Sequence, residues 1–182
     1  MTDPADQLRV RLLVLRCQTG DAAAFEELVR LFGPRLRYYL RKMLGDGPAV
    51  DDTLQDVWLD VFRSVPRLAD AGAFTGWLYR IARGRAAREF RRPRTAHRPL
   101  TEGDLVGEPE VDWSAEDAGR VHAALDALAP EHREVLVLRF LEGMSYDDIG
   151  RVVGCPVGTV RSRIHYGKSA LRRALEARCG HE

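Results

Sequence analysis

Cysteine is scarce in this chain. The three present, Cys17, Cys155 and Cys179, show no CxxC spacing and no even framework, which excludes a disulfide scaffold and a structural zinc module. No apolar run approaches the ~18 residues that a membrane helix needs, so no membrane insertion is expected. The amino terminus, Met1-Thr2-Asp3-Pro4-Ala5-Asp6, carries two acids where a signal peptide would carry bases, and a cytoplasmic location is expected. Catalytic signatures are missing as well. His97, His122, His132, His165 and His181 fall at no metal-ligand spacing, and there is no phosphate loop, GxSxG or dinucleotide fingerprint. The sequence therefore predicts no catalytic residue, no metal ligand and no cofactor.

Net charge is almost absent too, since 28 Lys and Arg face 27 Asp and Glu for a formal +1. That sum conceals a strong polarisation. Trp77 to Arg98 holds eight arginines (Arg80, Arg83, Arg85, Arg88, Arg91, Arg92, Arg94, Arg98) against the single acid Glu89. Glu102 to Asp117 then holds seven acids and no Lys or Arg, and Arg161 to Arg178 returns to six bases against Glu176. Two basic blocks separated by an acidic stretch read as two polyanion-binding surfaces with a linker between them.

What remains is ordinary for a folded protein. At 182 residues, with 45% hydrophobic and 30% charged residues, the chain has room for one ordinary domain or two small ones. The stretch 93–117 contains Pro93, Pro99, Pro109, Gly103 and Gly107 with little periodicity, and Trp113 as its one large apolar side chain. A run of that length fits a flexible interdomain linker rather than a loop inside a compact domain.

Outside this linker the patterning is helical and strand-like alternation is absent, which predicts an all-α chain of two small helical domains. Phe25, Leu28, Val29, Phe32, Leu36, Leu40 and Met43 recur at three- and four-residue spacing, with Asp21 as N-cap, Gly45 as stop and Pro34 as a kink or restart. A second stripe, Val50, Leu54, Val57, Trp58, Val61 and Val65, ends before Pro66. A third helix is predicted from about Ala73 to Arg92. After the linker, Val121, Leu125 and Leu128 resume the period, and Pro130 opens a helix over 131–142 that Gly143 closes. Ser145-Tyr146-Asp147-Asp148 is a capping-box-like start in which Asp replaces Glu. The short helix it opens breaks at Gly154-Cys155-Pro156 and gives way to a longer basic helix, the order of a helix-turn-helix, with Gly150 small where the two helices cross.

The exposed faces suggest chemistry. Setting Val157, Val160, Ile164, Leu171 and Leu175 inward leaves Thr159, Ser162, His165, Tyr166, Ser169 and Arg173 outward with Arg161 on the flank, side chains able to reach base edges and phosphates. Gly167, mid-helix, costs about 1 kcal/mol relative to Ala with no chemical reason visible in the pattern. In the Arg-rich helix Phe74, Trp77, Tyr79 and Phe90 interleave with the arginines, a mixture suited to single-stranded or melting DNA, although Trp77 has core spacing. The middle helix turns Asp52, Asp56, Leu59 and Arg63 away from its apolar stripe, with Gln55 at the edge. This acidic face repels DNA and is expected to dock a protein.

Four blocks in order carry a family resemblance: Gly20-Asp21-Ala22-Ala23-Ala24-Phe25-Glu26-Glu27-Leu28; Val50-Asp51-Asp52-Thr53-Leu54-Gln55-Asp56-Val57-Trp58; Phe74-Thr75-Gly76-Trp77-Leu78-Tyr79-Arg80-Ile81-Ala82-Arg83; and Gly158-Thr159-Val160-Arg161-Ser162-Arg163-Ile164-His165. Together they resemble the extracytoplasmic-function (ECF) class of bacterial RNA polymerase sigma factors. The resemblance implies a core-polymerase and −10 domain over 1–92, the acidic linker over 93–117, and a helix-turn-helix domain for the −35 element over 118–182. It implies polymerase docking by Asp52, Gln55, Asp56 and Leu59. DNA contacts are implied for Arg80, Arg83, Arg88, Arg91 and Arg92, and for Thr159, Arg161, Ser162, His165 and Tyr166. Its implied partners are core RNA polymerase, promoter DNA at the −10 and −35 elements, and an anti-sigma factor. The chain departs from the family pattern at Gly84, where Asn is usual, at Arg88, near a usual acid, and at Tyr166, where Arg is common. Thr53 replaces an aliphatic on what reads as a partly exposed flank. The competing reading is a helix-turn-helix repressor or activator that never meets polymerase, but such a protein needs neither the acidic face nor the Arg-aromatic helix. A nuclease or RNA-modifying enzyme lacks its carboxylate or metal cluster here.

Overall fold

A computed structural model describes residues 4–91 and 115–179. Within them lie eight α-helices: α1 (Pro4–Gln18), α2 (Ala22–Leu44), α3 (Ala49–Ser64), α4 (Phe74–Arg91), α5 (Ala115–Asp126), α6 (Pro130–Leu136), α7 (Tyr146–Val153) and α8 (Val157–Cys179). No strand occurs among the described residues. Of the expected linker over 93–117, residues 93–114, with Trp113, lie outside the described residues, as does the DNA contact assigned to Arg92; its last three residues, 115–117, are already helical at the start of α5.

The first domain is a four-helix packing in which α2 contacts α1, α3 and α4. Asp21 caps α2 by accepting from the Ala24 N–H at 3.1 Å, and Gly45 ends it at φ 81°. Of the kink or restart expected at Pro34, the restart does not occur: α2 continues through it as one helix. The proline forgoes one helix hydrogen bond and crowds the carbonyl four residues back, but Phe32 and Leu36 on either side of it are fully buried and hold the helix in the core. The core is Leu28, Phe32, Leu36 and Leu40 of α2 against Val57 and Val61 of α3 and Phe74 and Leu78 of α4, all fully buried. Thr53, expected on a partly exposed flank, is also buried. A 3-10 turn at Val65–Arg67 carries the chain past Pro66.

In the second domain Pro130 opens α6, but the regular helix stops at Leu136 and the backbone widens into a π turn over Val137–Leu141. The Glu142 N–H reaches back to the Val137 carbonyl at 3.2 Å, and Gly143 turns the chain at φ 67°. Ser145 then caps α7. Its hydroxyl accepts from the Asp148 N–H at 3.1 Å and donates to the Asp148 carboxylate at 2.6 Å, so the shorter Asp meets the capping hydroxyl itself. Gly154, left-handed at φ 71°, ends α7, and α8 starts after Pro156.

Two glycines answer to packing. A Cβ on Gly150 would sit 2.9 Å from the Cys155 carbonyl oxygen, so its smallness serves the turn backbone first and the helix crossing only at van der Waals range. A Cβ on Gly167 would stand 3.3 Å from His132 and Leu136. That is the reason for the mid-helix glycine: α8 crosses α6 there. By contrast, a Cβ on Gly84 of α4 would meet nothing within 4 Å. Gly150→Ala is therefore expected to destabilise the chain by about 1–3 kcal/mol through overpacking, while Gly84→Ala stabilises it by about 0.5–1 kcal/mol. Urea unfolding followed by circular dichroism checks both signs.

Candidate nucleic-acid interface

The helix-turn-helix presents α8 much as its periodicity requires. Val160 and Ile164 are buried, while Arg161, Ser162, His165 and Tyr166 are exposed and Thr159 is half-buried. His165 and Tyr166 lean edge to face, ring centroids 5.4 Å apart. Ser162 donates to the Thr159 carbonyl at 3.0 Å, which folds its hydroxyl against the helix while leaving it at the surface. Arg173 is exposed and Ser169 half-buried further along α8.

The Arg-rich helix α4 is divided among three tasks. Arg80, Arg88 and Arg91 are exposed. Arg85 turns onto α3, gripping Asp60 through two contacts of 2.6 Å and Asp56 at 3.0 Å. Arg83 donates to Glu134 of α6 at 2.9 Å. The expected row of base-stacking aromatics is not formed, because Phe74 and Tyr79 are fully buried and Trp77 is half-buried against Phe74. Their spacing serves the core; Phe90 alone of the four stands in solvent, 69% exposed.

On α3, Asp52, Gln55, Asp56 and Leu59 line one exposed face. The sequence reading missed Phe62, which is 60% exposed beside Leu59 and rests edge-on against Phe25 with centroids 5.2 Å apart. Its signal was present: Leu59 and Phe62 are three residues apart, off the buried stripe. The acids are less free than expected, since Arg37 pairs with Asp51 at 3.0 Å and Arg85 with Asp56 and Asp60.

A third surface was not foreseen. Arg35, Tyr38, Tyr39 and Lys42 of α2 recur at the spacing of one helical face, and each reaches the second domain. Arg35 pairs with Glu142 at 2.9 Å and donates to the Leu141 carbonyl at 3.1 Å. The Tyr38 hydroxyl meets His122 Nδ1 at 2.6 Å, and the Tyr39 hydroxyl donates to Glu134 Oε1 at 2.8 Å. Lys42 Nζ donates to both oxygens of Asp126 at 2.8 and 2.9 Å, while Arg133 donates to the Lys42 carbonyl at 2.6 Å. Burial dominates the ionisation here. It pushes the Glu142 carboxyl up, Arg35 notwithstanding, and the Lys42 ammonium down, Asp126 opposing. It also lifts the Tyr39 phenol well above its ordinary value, so Tyr39 stays a proton donor to Glu134. The Tyr79 hydroxyl, buried near Glu142, has no partner of hydrogen-bonding geometry.

Two family descriptions match the chain, Sigma-70 region 2 over residues 28–95 and Sigma-70 region 4 over residues 118–171. The ECF RNA polymerase sigma factor SigE of Mycolicibacterium smegmatis is 36% identical over 167 residues, which cover 86% of this chain and 65% of that protein. The RNA polymerase sigma-H factor of Pseudomonas aeruginosa is 33% identical over 90% of this chain and 92% of its own length. Among solved structures, CnrH in complex with the cytosolic domain of CnrY superimposes with a TM-score of 0.69 at 26% identity, covering 93% of this chain and 98% of that one. Two helical modules, one ending in a helix-turn-helix and the other carrying an acidic face and an arginine helix, define a promoter-specificity subunit. The chain belongs to the ECF sigma factors of the sigma-70 family. It binds RNA polymerase and directs it to promoters, and it is not an enzyme. The repressor reading falls with that assignment. No described helix is long and apolar enough to cross a membrane.

The Arg85–Asp60 grip yields a pH prediction. The guanidinium holds the Asp60 carboxyl below the ordinary carboxylate range. A depressed folded value means that the stabilisation is present above the unfolded carboxylate value of about 3.9 and is lost as pH falls through the lower folded value. Asp60→Asn is expected to cost ~0.5–1 kcal/mol at pH 7 after solvent screening. The gap to the unsubstituted chain should narrow below about pH 4, as read by parallel urea melts.

Proposed function

We propose that three faces divide the work of initiation. The Asp52, Gln55, Asp56 and Leu59 face of α3, extended by Phe62, docks on core polymerase. Arg80, Arg83, Arg88 and Arg91 of α4 engage the −10 element and its melting strand, with Phe90 as the exposed aromatic. Thr159, Arg161, Ser162, His165 and Tyr166 of α8 read the −35 element. The observation that carries this reading is the exposed row Arg161, Ser162, His165 and Tyr166 on the second helix of the helix-turn-helix, the position from which such a helix enters the major groove. Buried Phe74 and Tyr79 shift the melting function away from base stacking along α4 and toward arginine–phosphate attraction. The domains correspond to 1–92 and 118–182, joined through 93–117. The factor works in the cytoplasm, where its polymerase is, and an anti-sigma factor is its further protein partner.

Two measurements test the assignment. Arg161→Ala should weaken promoter binding by the holoenzyme by about 1–3 kcal/mol and relax preference at one −35 position if the guanidinium makes a bidentate base contact. A uniform loss across sequences with a shallower salt slope assigns it to phosphate instead. For docking, Asp52→Arg combined with Leu59→Arg should abolish co-purification with core polymerase while the helical circular-dichroism signal persists. These two positions are preferred to Asp56, whose reversal would also break its pair with Arg85.

A further inference from the structure

Among the described arginines of α4, Arg85 is the one that pairs with carboxylates of α3. Its Nε and Nη2 take the two oxygens of Asp60, each at 2.6 Å, and its Nη1 reaches Asp56 Oδ2 at 3.0 Å. The fork on Asp60 has the paired geometry that fixes a guanidinium in place. The remaining contact then holds the carboxylate one helical turn earlier. Side-chain exposure is 24% for Arg85, 30% for Asp60 and 54% for Asp56. The anchor is thus the more sheltered carboxylate, and Oδ1 of Asp56 is left outside the fork for another partner.

This arrangement answers a difficulty that the α3 face creates for itself. Asp52, Asp56 and Asp60 follow one another at four-residue spacing, and like charges so placed on a helix repel. Asp51 beside them is held only by an exposed contact with Arg37 at 3.0 Å, a kind of pair that contributes little. An unrestrained Asp56 would exchange rotamers away from its charged neighbours, and docking would have to order it again. Arg85 completes that ordering before any partner arrives. Its hydrogen bonds hold the Asp60 carboxyl below the ordinary carboxylate range, so the anchor stays ionised throughout neutral pH. Leu59, the apolar member of the face, lies in sequence between the two carboxylates that the guanidinium joins.

We propose that Arg85 is a positioning residue for polymerase docking: it touches neither core polymerase nor DNA, and it pins Asp56 through the fork on Asp60 so that the Asp56–Leu59 edge of α3 meets the polymerase already formed. The proposal rests on the assignment of the α3 face to docking. It gives Arg85, which the charge pattern groups with the DNA-directed arginines, to the other partner.

The test is the binding kinetics of the full-length factor with core polymerase, without DNA, at several salt concentrations. Arg85→Lys keeps the charge, but an ammonium is a point donor that cannot fork one carboxylate and reach a second. Its association rate, and the salt dependence of that rate, should match those of the unsubstituted chain. Its dissociation rate should rise about three- to tenfold, the order expected when a contact residue must be ordered on binding. Asp60→Asn removes the anchor and should raise the dissociation rate over the same range, although Asp60 makes no docking contact of its own. Circular-dichroism melts of each variant report the fold. A melting temperature that falls with no change in dissociation would make Arg85 purely structural and overturn the proposal. An Arg85→Lys variant that dissociates like the unsubstituted chain, with only Arg85→Gln altering association and its salt dependence, would also overturn it, because the effect would then belong to charge alone. Should Arg85→Lys lose its helical signal, Asp60→Asn carries the same comparison. Asp52→Arg/Leu59→Arg, run alongside, keeps the two readings distinct. If that variant still binds core polymerase, the docking assignment fails and the proposal with it. If it does not bind while Arg85→Lys dissociates at the unsubstituted rate, only the role given to Arg85 falls.

Discussion

A single carboxylate oxygen organises much of this molecule. Glu134 Oε1 receives the Tyr39 hydroxyl at 2.8 Å and the Arg83 guanidinium at 2.9 Å in a site where the residue is only 7% exposed. An ionised carboxylate withdrawn from water loses several kcal/mol of solvation unless donors replace that water. Both donors come from the other domain, one from α2 and one from α4. Neither half of the chain can therefore settle this residue alone. The packing of Val135, Leu136, Val137 and Leu138, all buried immediately after it, is continuous with that junction, and so is the crossing of α6 with α8 that Gly167 permits.

The same residues serve two economies at once. Arg83 belongs by position to the arginine helix proposed to engage DNA, yet it donates to Glu134. Arg85, its neighbour two residues on, faces the opposite way and steadies the acidic face of α3. Among the described residues the five arginines of α4 are thus three sets of charges: Arg80, Arg88 and Arg91 solvent-facing, Arg85 bound within its own domain, and Arg83 bound across domains. Two of those five, Arg83 and Arg85, are already matched by carboxylates, so their electrostatic reach toward a nucleic acid is smaller than their number suggests.

The fold was largely legible because apolar periodicity reports burial directly. The caps at Asp21 and Ser145, the stops at Gly45, Gly143 and Gly154, and the inward stripe of α8 all follow from local chemistry. Expectations failed where a tertiary contact overrode a local rule. Pro34 does not restart α2, because Phe32 and Leu36, fully buried on either side of it, hold the helix continuous in the core. Phe74 and Tyr79 alternate with arginines and so resemble stacking platforms, but the helix turns them into the core. The stripe Arg35, Tyr38, Tyr39 and Lys42 was hidden for a different reason. Polar residues at helical spacing look like a solvated face, and only the partner surface, far away in sequence, shows Tyr39 and Lys42 buried and Arg35 and Tyr38 half-buried. The Glu134 and Glu142 carboxylates give no sign of burial in their own neighbourhood either.

The polar stripe on α2 also bears on how such a chain can diverge. A stretch between two independent modules can change in length and composition without either module registering it, and modules of that kind can be exchanged between relatives. Here the stripe and its carboxylate partners form a private match written on both halves. Arg35 can drift only as Glu142 drifts, and Lys42 only as Asp126 does. A hybrid that joins this first half to a relative's second half would inherit an intact α3 face and an intact helix-turn-helix. It would also inherit a mismatched junction, so a graft that leaves each half folded can still break the contacts between them.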